Sequence, residues 1–166
     1  YKAEAVMARR EKIELKKSGW KHHFRVEAEA VPISTSEDIN ESLFPFLQES
    51  RGKNAFIFVW SLDTHSPYFH RDAEMARFCT PSKGLWFPRD KEQTGSGDEG
   101  HRLRSLYEDM IYYNDYHFGR LVAKLREMSL FEQTFLILTG DHGESFGEHG
   151  VQSHGGAPFD EQVRVP

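Results

Sequence analysis

Side chains that can bind metal ions or move protons are concentrated among glycines between residues 140 and 156. They include Asp141, His142, His149 and His154. A hydrophobic core does not require this composition, whereas carboxylate and imidazole groups are metal ligands and acid–base groups. The glycines allow the backbone to pass close to a ligand. The segment is therefore predicted to be an active-site loop.

Asp141 and His142 leave a predicted strand together and offer one carboxylate oxygen and one imidazole nitrogen. Such a pair suits a divalent metal, and the histidine favours zinc, manganese or iron over calcium, which prefers oxygen ligands. Two ligands do not complete a site, so further ligands must come from elsewhere. The alternative is structural, with an Asp that caps the loop and a His that hydrogen-bonds to backbone. These two residues alone leave both interpretations open.

The elements that must position the loop are predicted to be two parallel strands joined by a helix. Residues 55–60 and 134–139 are apolar runs of strand length, and apolar side chains repeat at helical spacing over residues 101–128. Such a unit has a right-handed crossover, and ligands bind beyond the carboxyl ends of its strands. His65 lies just past the first strand and Asp141 just past the second, so we expect them to converge at one edge of a sheet.

His65 and His154 are the two other candidates. His65 could donate a proton to a leaving group or bind an oxyanion. His154 lies thirteen residues beyond Asp141, close enough for the loop to fold back. A lone histidine is more often structural than catalytic, and the sequence leaves that alternative open for both.

One pattern in the loop suggests a different chemistry. Residues 143–147, Gly-Glu-Ser-Phe-Gly, match the G-x-S-x-G pattern of serine hydrolases. That motif requires a sharp turn directly from strand into helix, and the Gly-rich segment here is a poor helix former. Ser145 is therefore not taken as a nucleophile. Because Gly143 separates His142 from Glu144, the H-E-x-x-H pattern of zinc proteases is also absent.

Three ordered motifs resemble the sulfatase family within the alkaline-phosphatase-like superfamily. Residues 63–68, Asp-Thr-His-Ser-Pro-Tyr, are similar to the family's D-x-H-x-P-Y segment; residues 106–121 resemble the helix that follows, and residues 138–166 its late metal-binding segment. The match covers about residues 36–166 apart from the loop 69–100. The resemblance implies an α/β fold, a three-layer α/β/α sandwich with a mostly parallel sheet, of which this chain is a partial domain.

The resemblance also implies roles for individual residues. Asp141 and His142 would be metal ligands, and the divalent ion would be calcium, or manganese or zinc given the His ligand. His65 would contact a sulfate or phosphate ester and help the leaving oxygen depart. His154 takes a position where relatives carry a Lys or His that binds the oxyanion. His65 and His154 are thus expected to be both catalytic and substrate-binding.

For the intact protein, the resemblance implies a metal-dependent hydrolase of sulfate esters. His142 leaves the substrate class open, because many sulfatases have Asn at this place. Relatives with His there cleave phosphate or phosphonate esters or transfer phosphoethanolamine. A degenerate member without catalytic activity is a further alternative.

The nucleophile is not found among these motifs. In sulfatases it is a formylglycine made from the Cys of C-x-P-S-R, in a segment that precedes D-x-H-x-P-Y and also carries metal-binding Asp residues. Cys79 begins a Cys-Thr-Pro-Ser-Lys stretch, but it follows His65 and the stretch ends in Lys, so we interpret it as a coincidence. The nucleophile segment is expected upstream of Tyr1, and the chain alone is expected to be inactive.

Length and composition favour one globular domain. The 166 residues are 38% hydrophobic and 28% charged, which is ordinary for such a domain. We predict a single partial domain over residues 1–166, with a basic lead-in over 1–35 and the core over 36–166. One cysteine excludes an internal disulfide framework.

The charge pattern predicts no nucleic-acid partner. Residues 1–25 contain eight Lys or Arg against three Glu, within a net charge of −5. Because acidic residues are mixed with the basic ones at helical spacing, the segment is interpreted as a solvated helix face. No apolar run is long enough to span a membrane, and the expected partner is a sulfate- or phosphate-ester substrate. The sequence does not indicate an oligomeric state.

Overall fold

The computed structural model describes residues 35–66, 68–70, 72–80 and 97–166 of the chain. The predicted basic lead-in falls outside these ranges except for Thr35. The described elements, in chain order, are helix α1 (Ser36–Glu49), helix α2 (Gly97–Glu127), strand β1 (Ser145–Phe146), strand β2 (Gln152–Ser153) and helix α3 (Asp160–Val163), with short 3₁₀ turns at Ala73–Met75, Phe131–Gln133 and Glu148–Gly150.

The chain divides into two compact units, Tyr1–Leu62 and Asp63–Pro166. All the predicted site residues belong to the second unit. Within the described ranges, no helix combines the length and the apolar character needed to cross a membrane. The prediction of a single domain stays a prediction.

Helix α1 begins at Ser36, because its first turn satisfies its own backbone donors. The Thr35 hydroxyl accepts a hydrogen bond from the Asp38 N–H at 3.2 Å, and the Asp38 carboxylate accepts one from the Thr35 N–H at 2.7 Å. This reciprocal pair is a capping box. Leu43 and Leu47 lie one turn apart on the buried face. The helix accommodates Pro45 and continues to Glu49.

Helix α2 provides the core of the second unit. It is 31 residues long and begins at Gly97, four residues before its predicted start, which shortens the predicted loop 69–100. Leu103, Leu106 and Met110 share one face of the helix and pack with Tyr68, which is completely buried. This core fixes Tyr68, the last residue of the D-x-H-x-P-Y segment, against α2.

A short hairpin forms the far side of the predicted active-site loop. Strand β1 pairs antiparallel with β2, with Ser145 opposite Ser153 and Phe146 opposite Gln152. The intervening turn is closed by the Gly147 N–H, which donates to the Val151 carbonyl at 2.9 Å. Gly147 has a φ of 120°, a conformation that favours glycine.

The predicted parallel strand pair is not present in the described residues. Their one sheet is the two-stranded antiparallel hairpin, and residues 55–60 and 134–139 are not assigned as strands. Both runs expose their apolar side chains, with Phe56 at 85% and Phe135 at 91%. An apolar run signals a tendency towards burial, but a strand also needs a neighbour that satisfies its backbone N–H and C=O groups. The mostly parallel sheet is therefore not confirmed.

Candidate functional site

The predicted active-site loop is pinned to helix α3 by a close backbone approach. The Gly143 N–H donates to the Gln162 carbonyl at 2.7 Å. A Cβ atom added at Gly143 would lie 2.1 Å from the Glu161 carbonyl oxygen, so only glycine fits at this position. Farther along the loop, the Gly155 N–H donates to the Gln162 side-chain oxygen at 3.2 Å. The loop is thus held at two points, on either side of the hairpin.

Asp141 and His142 present one free ligand atom each. The His142 N–H donates to Asp141 Oδ1 at 3.0 Å, and His142 Nδ1 hydrogen-bonds to the Gly143 carbonyl at 2.8 Å. A carbonyl can only accept, so the imidazole proton is on Nδ1 and the Nε2 lone pair is available, as in metal-bound histidines. His142 Nε2 lies 3.9 Å from Asp141 Oδ2. Around tetrahedral zinc, with bonds of about 2 Å, these two atoms would be about 3.3 Å apart, so the pair must close by about 0.6 Å to bind one ion. The donor set fits a divalent metal.

A buried carboxylate links this pair to the rest of the site. The Glu144 side chain is only 6% exposed. Its Oε2 accepts a hydrogen bond from the Tyr68 hydroxyl, and its Oε1 lies 3.1 Å from His154 Nδ1. The His154 ring lies beside the His142 ring, with 3.8 Å between the centroids. Glu144 therefore sets the orientation of His154 next to the candidate metal ligand.

The raised pKa values of two tyrosines indicate a negative electrostatic potential near Glu144. Burial, followed by the hydrogen bond to Glu144 and its charge, raises the pKa of Tyr68 far above its ordinary value. The hydroxyl therefore stays protonated and acts as a donor. The pKa of Tyr107 is also raised, first by burial and then by the charges of Glu144 and Asp141. This field would stabilise a bound cation.

The D-x-H-x-P-Y segment reaches the loop through Tyr68. Asp63, at its start, is buried and lies 3.5 Å from the Asn114 side-chain nitrogen of α2. His65 is exposed, and its Nδ1 lies 2.6 Å from the Ser66 carbonyl. Within the described residues, His65 makes no hydrogen bond, ion pair or ring contact with Asp141, His142 or His154. The segments converge at the Tyr68–Glu144 hydrogen bond, while the role of His65 stays a prediction.

Ser145 has a structural environment. It is completely buried, and its hydroxyl accepts a hydrogen bond from Gln162 Nε2 at 2.7 Å and donates to Glu161 Oε1 at 3.3 Å. Neither partner is an imidazole base, which a serine nucleophile of the triad type requires. The contacts of Ser145 are therefore structural.

His149, which the sequence left without a role, is also held by structural contacts. Its ring stacks on Phe159 with 4.3 Å between the centroids, and its Nε2 lies 3.8 Å from Glu161 Oε2. Its φ is 56°, a conformation uncommon for a residue with a side chain.

Sequence reasoning did not assign a role to Glu144 or Tyr68. Both were visible, Glu144 inside the G-x-S-x-G pattern and Tyr68 at the end of D-x-H-x-P-Y. Their partnership spans 76 residues of sequence. Residue type and local spacing carry no signal for such a contact.

The chain belongs to the sulfatase family: the family model, described as Sulfatase, matches residues 13–166. Membership implies an alkaline-phosphatase-like α/β fold, and the family is generally metal-dependent. No solved structure matches the chain significantly.

Curated relatives fall into two chemical classes. The chain is 29% identical over 138 residues to phosphoethanolamine transferase EptA of Escherichia coli K12, covering 78% of this chain and 24% of the transferase. It is 24% identical over 147 residues to an arylsulfatase of Clostridium perfringens, covering 77% of this chain and 30% of that enzyme. It is 34% identical over 65 residues to human iduronate 2-sulfatase, covering 39% of this chain and 12% of that protein. The chain thus spans about a quarter of the length of the first of these relatives.

Proposed function

We propose that the intact protein is a metal-dependent hydrolase of sulfate esters, in which this chain supplies Asp141 and His142 as metal ligands. The observation that carries the proposal is the geometry at His142. Its Nδ1 hydrogen-bonds to the Gly143 carbonyl, which leaves the Nε2 lone pair available to bind a metal ion. His154 lies beside it, oriented by a hydrogen bond to buried Glu144. A bound divalent ion would supply the positive charge that activates a nucleophile and neutralises ester oxygens.

The two other histidines have separate tasks in this proposal. His154 binds a non-bridging oxygen of the ester in its doubly protonated form, because its Nδ1–H is engaged by Glu144 and only the imidazolium carries a second proton, on Nε2, that it can donate. His65 has its Nδ1–H engaged by the Ser66 carbonyl, so in its doubly protonated form the proton on Nε2 is the one that it can give to the leaving oxygen.

The proposal includes the fold of the complete domain. It is a three-layer α/β/α sandwich with a mostly parallel sheet, and residues 55–60 and 134–139 are two of its strands. The exposed apolar side chains of both runs support this assignment, because apolar segments of that length are typical of strands that are buried on both faces.

Phosphoryl-group transfer is the second candidate function. It is favoured by the imidazole of His142 at a ligand position and by the similarity to EptA, a phosphoethanolamine transferase, over 78% of this chain. The two candidates share the same metal ligands and histidines, and they differ in the central atom of the ester and in the acceptor.

Substrate comparison on the intact protein separates the candidates. An aryl sulfate, an aryl phosphate and a phosphatidylethanolamine donor are assayed in parallel with zinc, manganese or calcium. The proposal predicts the highest kcat/KM with the aryl sulfate. Transfer of phosphoethanolamine without sulfate-ester cleavage would establish the second candidate instead. Metal-loaded protein that acts on none of the three substrates would indicate a non-catalytic member.

The role of Glu144 is tested by Glu144→Gln in the intact protein. Glutamine keeps an acceptor for Tyr68 but removes the charged acceptor of His154. We expect kcat to fall by about 10- to 100-fold, as for residues that orient a metal-site group. KM should change much less if Glu144 acts on orientation in the transition state. Glu132→Gln, at an exposed position in a 3₁₀ turn, is the matched control and should leave kcat unchanged. An unchanged kcat in Glu144→Gln would rule out this role.

A further inference from the structure

A second group of potential metal ligands lies between helix α2 and the segment 70–79. Asp109, on α2, receives three backbone N–H groups: those of Arg77 and Phe78 on Oδ1, at 2.6 and 3.0 Å, and that of Cys79 on Oδ2, at 3.2 Å. Its Oδ2 also lies 2.8 Å from His70 Nε2. The His70 and Asp109 side chains are both almost completely buried. These hydrogen bonds hold the segment 70–79 against helix α2.

Three ligand atoms of the cluster face one another at distances close to those of a zinc site. Cys79 Sγ lies 3.4 Å from Asp109 Oδ2 and 3.7 Å from His70 Nε2. Around tetrahedral zinc, with Zn–S of about 2.3 Å and Zn–N or Zn–O of about 2.0 Å, such atoms are about 3.3 to 3.6 Å apart. Two separations already fit. The third, between His70 and Asp109, must open by about 0.5 Å from its hydrogen-bonded value.

The same three residue types could form a nucleophilic triad, but the geometry excludes it. In a triad the nucleophile and the acid contact different nitrogens of the imidazole. Here Cys79 and Asp109 both face Nε2 of His70, while Nδ1 is buried and has no hydrogen-bond partner in the described part of the chain. Burial and the Asp109 carboxylate also raise the pKa of Cys79 to about 11, the opposite of an activated thiol.

The chemistry of the three donors selects among metals. An imidazole, a thiol and a carboxylate form a donor set of zinc, not of magnesium or calcium.

We propose that His70, Cys79 and Asp109 form a second metal site, distinct from Asp141 and His142, that binds Zn²⁺ with a water molecule as the fourth ligand. The ion ties the segment 70–79 to α2. Because that segment follows Tyr68 directly, the site steadies the residue that donates to Glu144. The site is structural and takes no part in ester cleavage.

Zinc binding to the three ligands releases one proton. Bonds from zinc to Sγ, Nε2 and Oδ2 form, and the hydrogen bonds from His70 and Cys79 to Asp109 break. The thiol proton is released to solvent, and the imidazole proton moves from Nε2 to Nδ1. Because one proton is released, the affinity for zinc rises with pH up to the pKa of the thiol.

Cobalt(II) is the probe for this site in the 166-residue chain. Cys79 is the only cysteine of that chain, so a thiolate-to-cobalt charge-transfer band can arise from this residue alone. In the presence of a phosphine reductant, we expect the band to appear as cobalt is added and to disappear when zinc is added. Calcium should not displace the cobalt, because it avoids thiolate ligands.

Variants distinguish the cluster from a thiol that binds cobalt alone. Cys79→Ser should abolish the band, and His70→Gln should weaken cobalt binding by at least about 10-fold. His101→Gln, an exposed histidine on α2, is the matched control and should leave the titration unchanged.

Two outcomes would overturn the proposal: the absence of a charge-transfer band in the unmodified chain, or a band of equal affinity in His70→Gln. A second measurement does not depend on the folding of any variant that lacks His70. Zinc should slow the alkylation of Cys79 in the unmodified chain at least about 10-fold, whereas an equal concentration of calcium should not. Equal alkylation rates with and without zinc would also refute the site.

Discussion

The two histidine-containing groups of the second unit differ most in their exposure to solvent. At the candidate active site, the Asp141 side chain is 69% and the His142 side chain 39% exposed. In the second cluster, His70 is 4% and Asp109 2% exposed. The exposed pair leaves room for a substrate, whereas the buried pair is surrounded by its own chain. Burial thus separates the candidate active site from the proposed structural site, although the residue types are similar.

The two groups also differ in how they are positioned. The buried side chains hold one another through Asp109, which contacts three backbone N–H groups and two side chains. The exposed pair depends on neighbours, namely the close approach at Gly143 and the buried Glu144. We therefore expect substitution of Asp109 to lower mainly the stability of the fold. Substitution of Gly143 or Glu144 should also impair metal binding or turnover at the candidate active site.

The largest effect is expected from Gly143→Ala. The new Cβ would lie 2.1 Å from the Glu161 carbonyl oxygen, so the loop must move away from α3. We expect a loss of about 3 kcal/mol in the free energy of unfolding, the upper range for overpacking, together with loss of metal binding by the loop. Chemical denaturation and metal titration measure both. Gly156→Ala, where the Cβ would meet nothing within 4 Å, is the matched control and should change neither.

Asp109→Asn should destabilise the second unit by about 2 kcal/mol at neutral pH, because buried His70 loses its charged partner. Burial alone would raise the pKa of Asp109, but the hydrogen bonds from the Arg77 N–H and His70 lower it below its ordinary value of 3.8.

The pH dependence of Asp109→Asn follows from that shift. A carboxylate with a lowered pKa contributes stability above pH 3.8 and loses it as the pH falls through the pKa of the folded state. Unfolding free energies between pH 2 and 7 should therefore converge for the two proteins at the acidic end. A constant difference over this range would contradict the assignment.

A smaller effect is expected from Ser145→Ala. The change leaves Gln162 Nε2 without its acceptor inside the fold, which costs about 1 kcal/mol. Turnover by the intact protein should stay within about 2-fold, because Ser145 contacts Gln162 and Glu161 and no catalytic histidine. Parallel denaturation and kinetic measurements test both parts, and a 100-fold loss of kcat would restore the serine-nucleophile hypothesis.

Local chemistry was predictable from the sequence. The start of α1 follows from the Thr35–Asp38 capping box, and most of α2 follows from the spacing of its apolar residues. Both depend on residues a few positions apart. The composition of the loop likewise identified Asp141 and His142 as candidates.

Contacts between distant parts of the chain were not predictable. Tyr68 and Glu144 are 76 residues apart, and Cys79 and Asp109 are 30 residues apart. The sequence neighbours of Cys79 resemble a nucleophile motif and do not reveal its contacts with His70 and Asp109. The strand predictions had a related weakness, because the apolar runs 55–60 and 134–139 indicate burial without specifying the partner strands.

Metal binding by Asp141 and His142 is the central claim, and metal content tests it most directly. The intact protein carrying Cys79→Ser lacks the proposed second site and serves as the background. Zinc and manganese affinities are then compared with and without Asp141→Asn, and His149→Gln is the control at an exposed loop histidine. The account predicts that Asp141→Asn weakens metal binding by at least about 10-fold, while His149→Gln leaves it unchanged. Equal metal affinity in Asp141→Asn and its background would contradict the account.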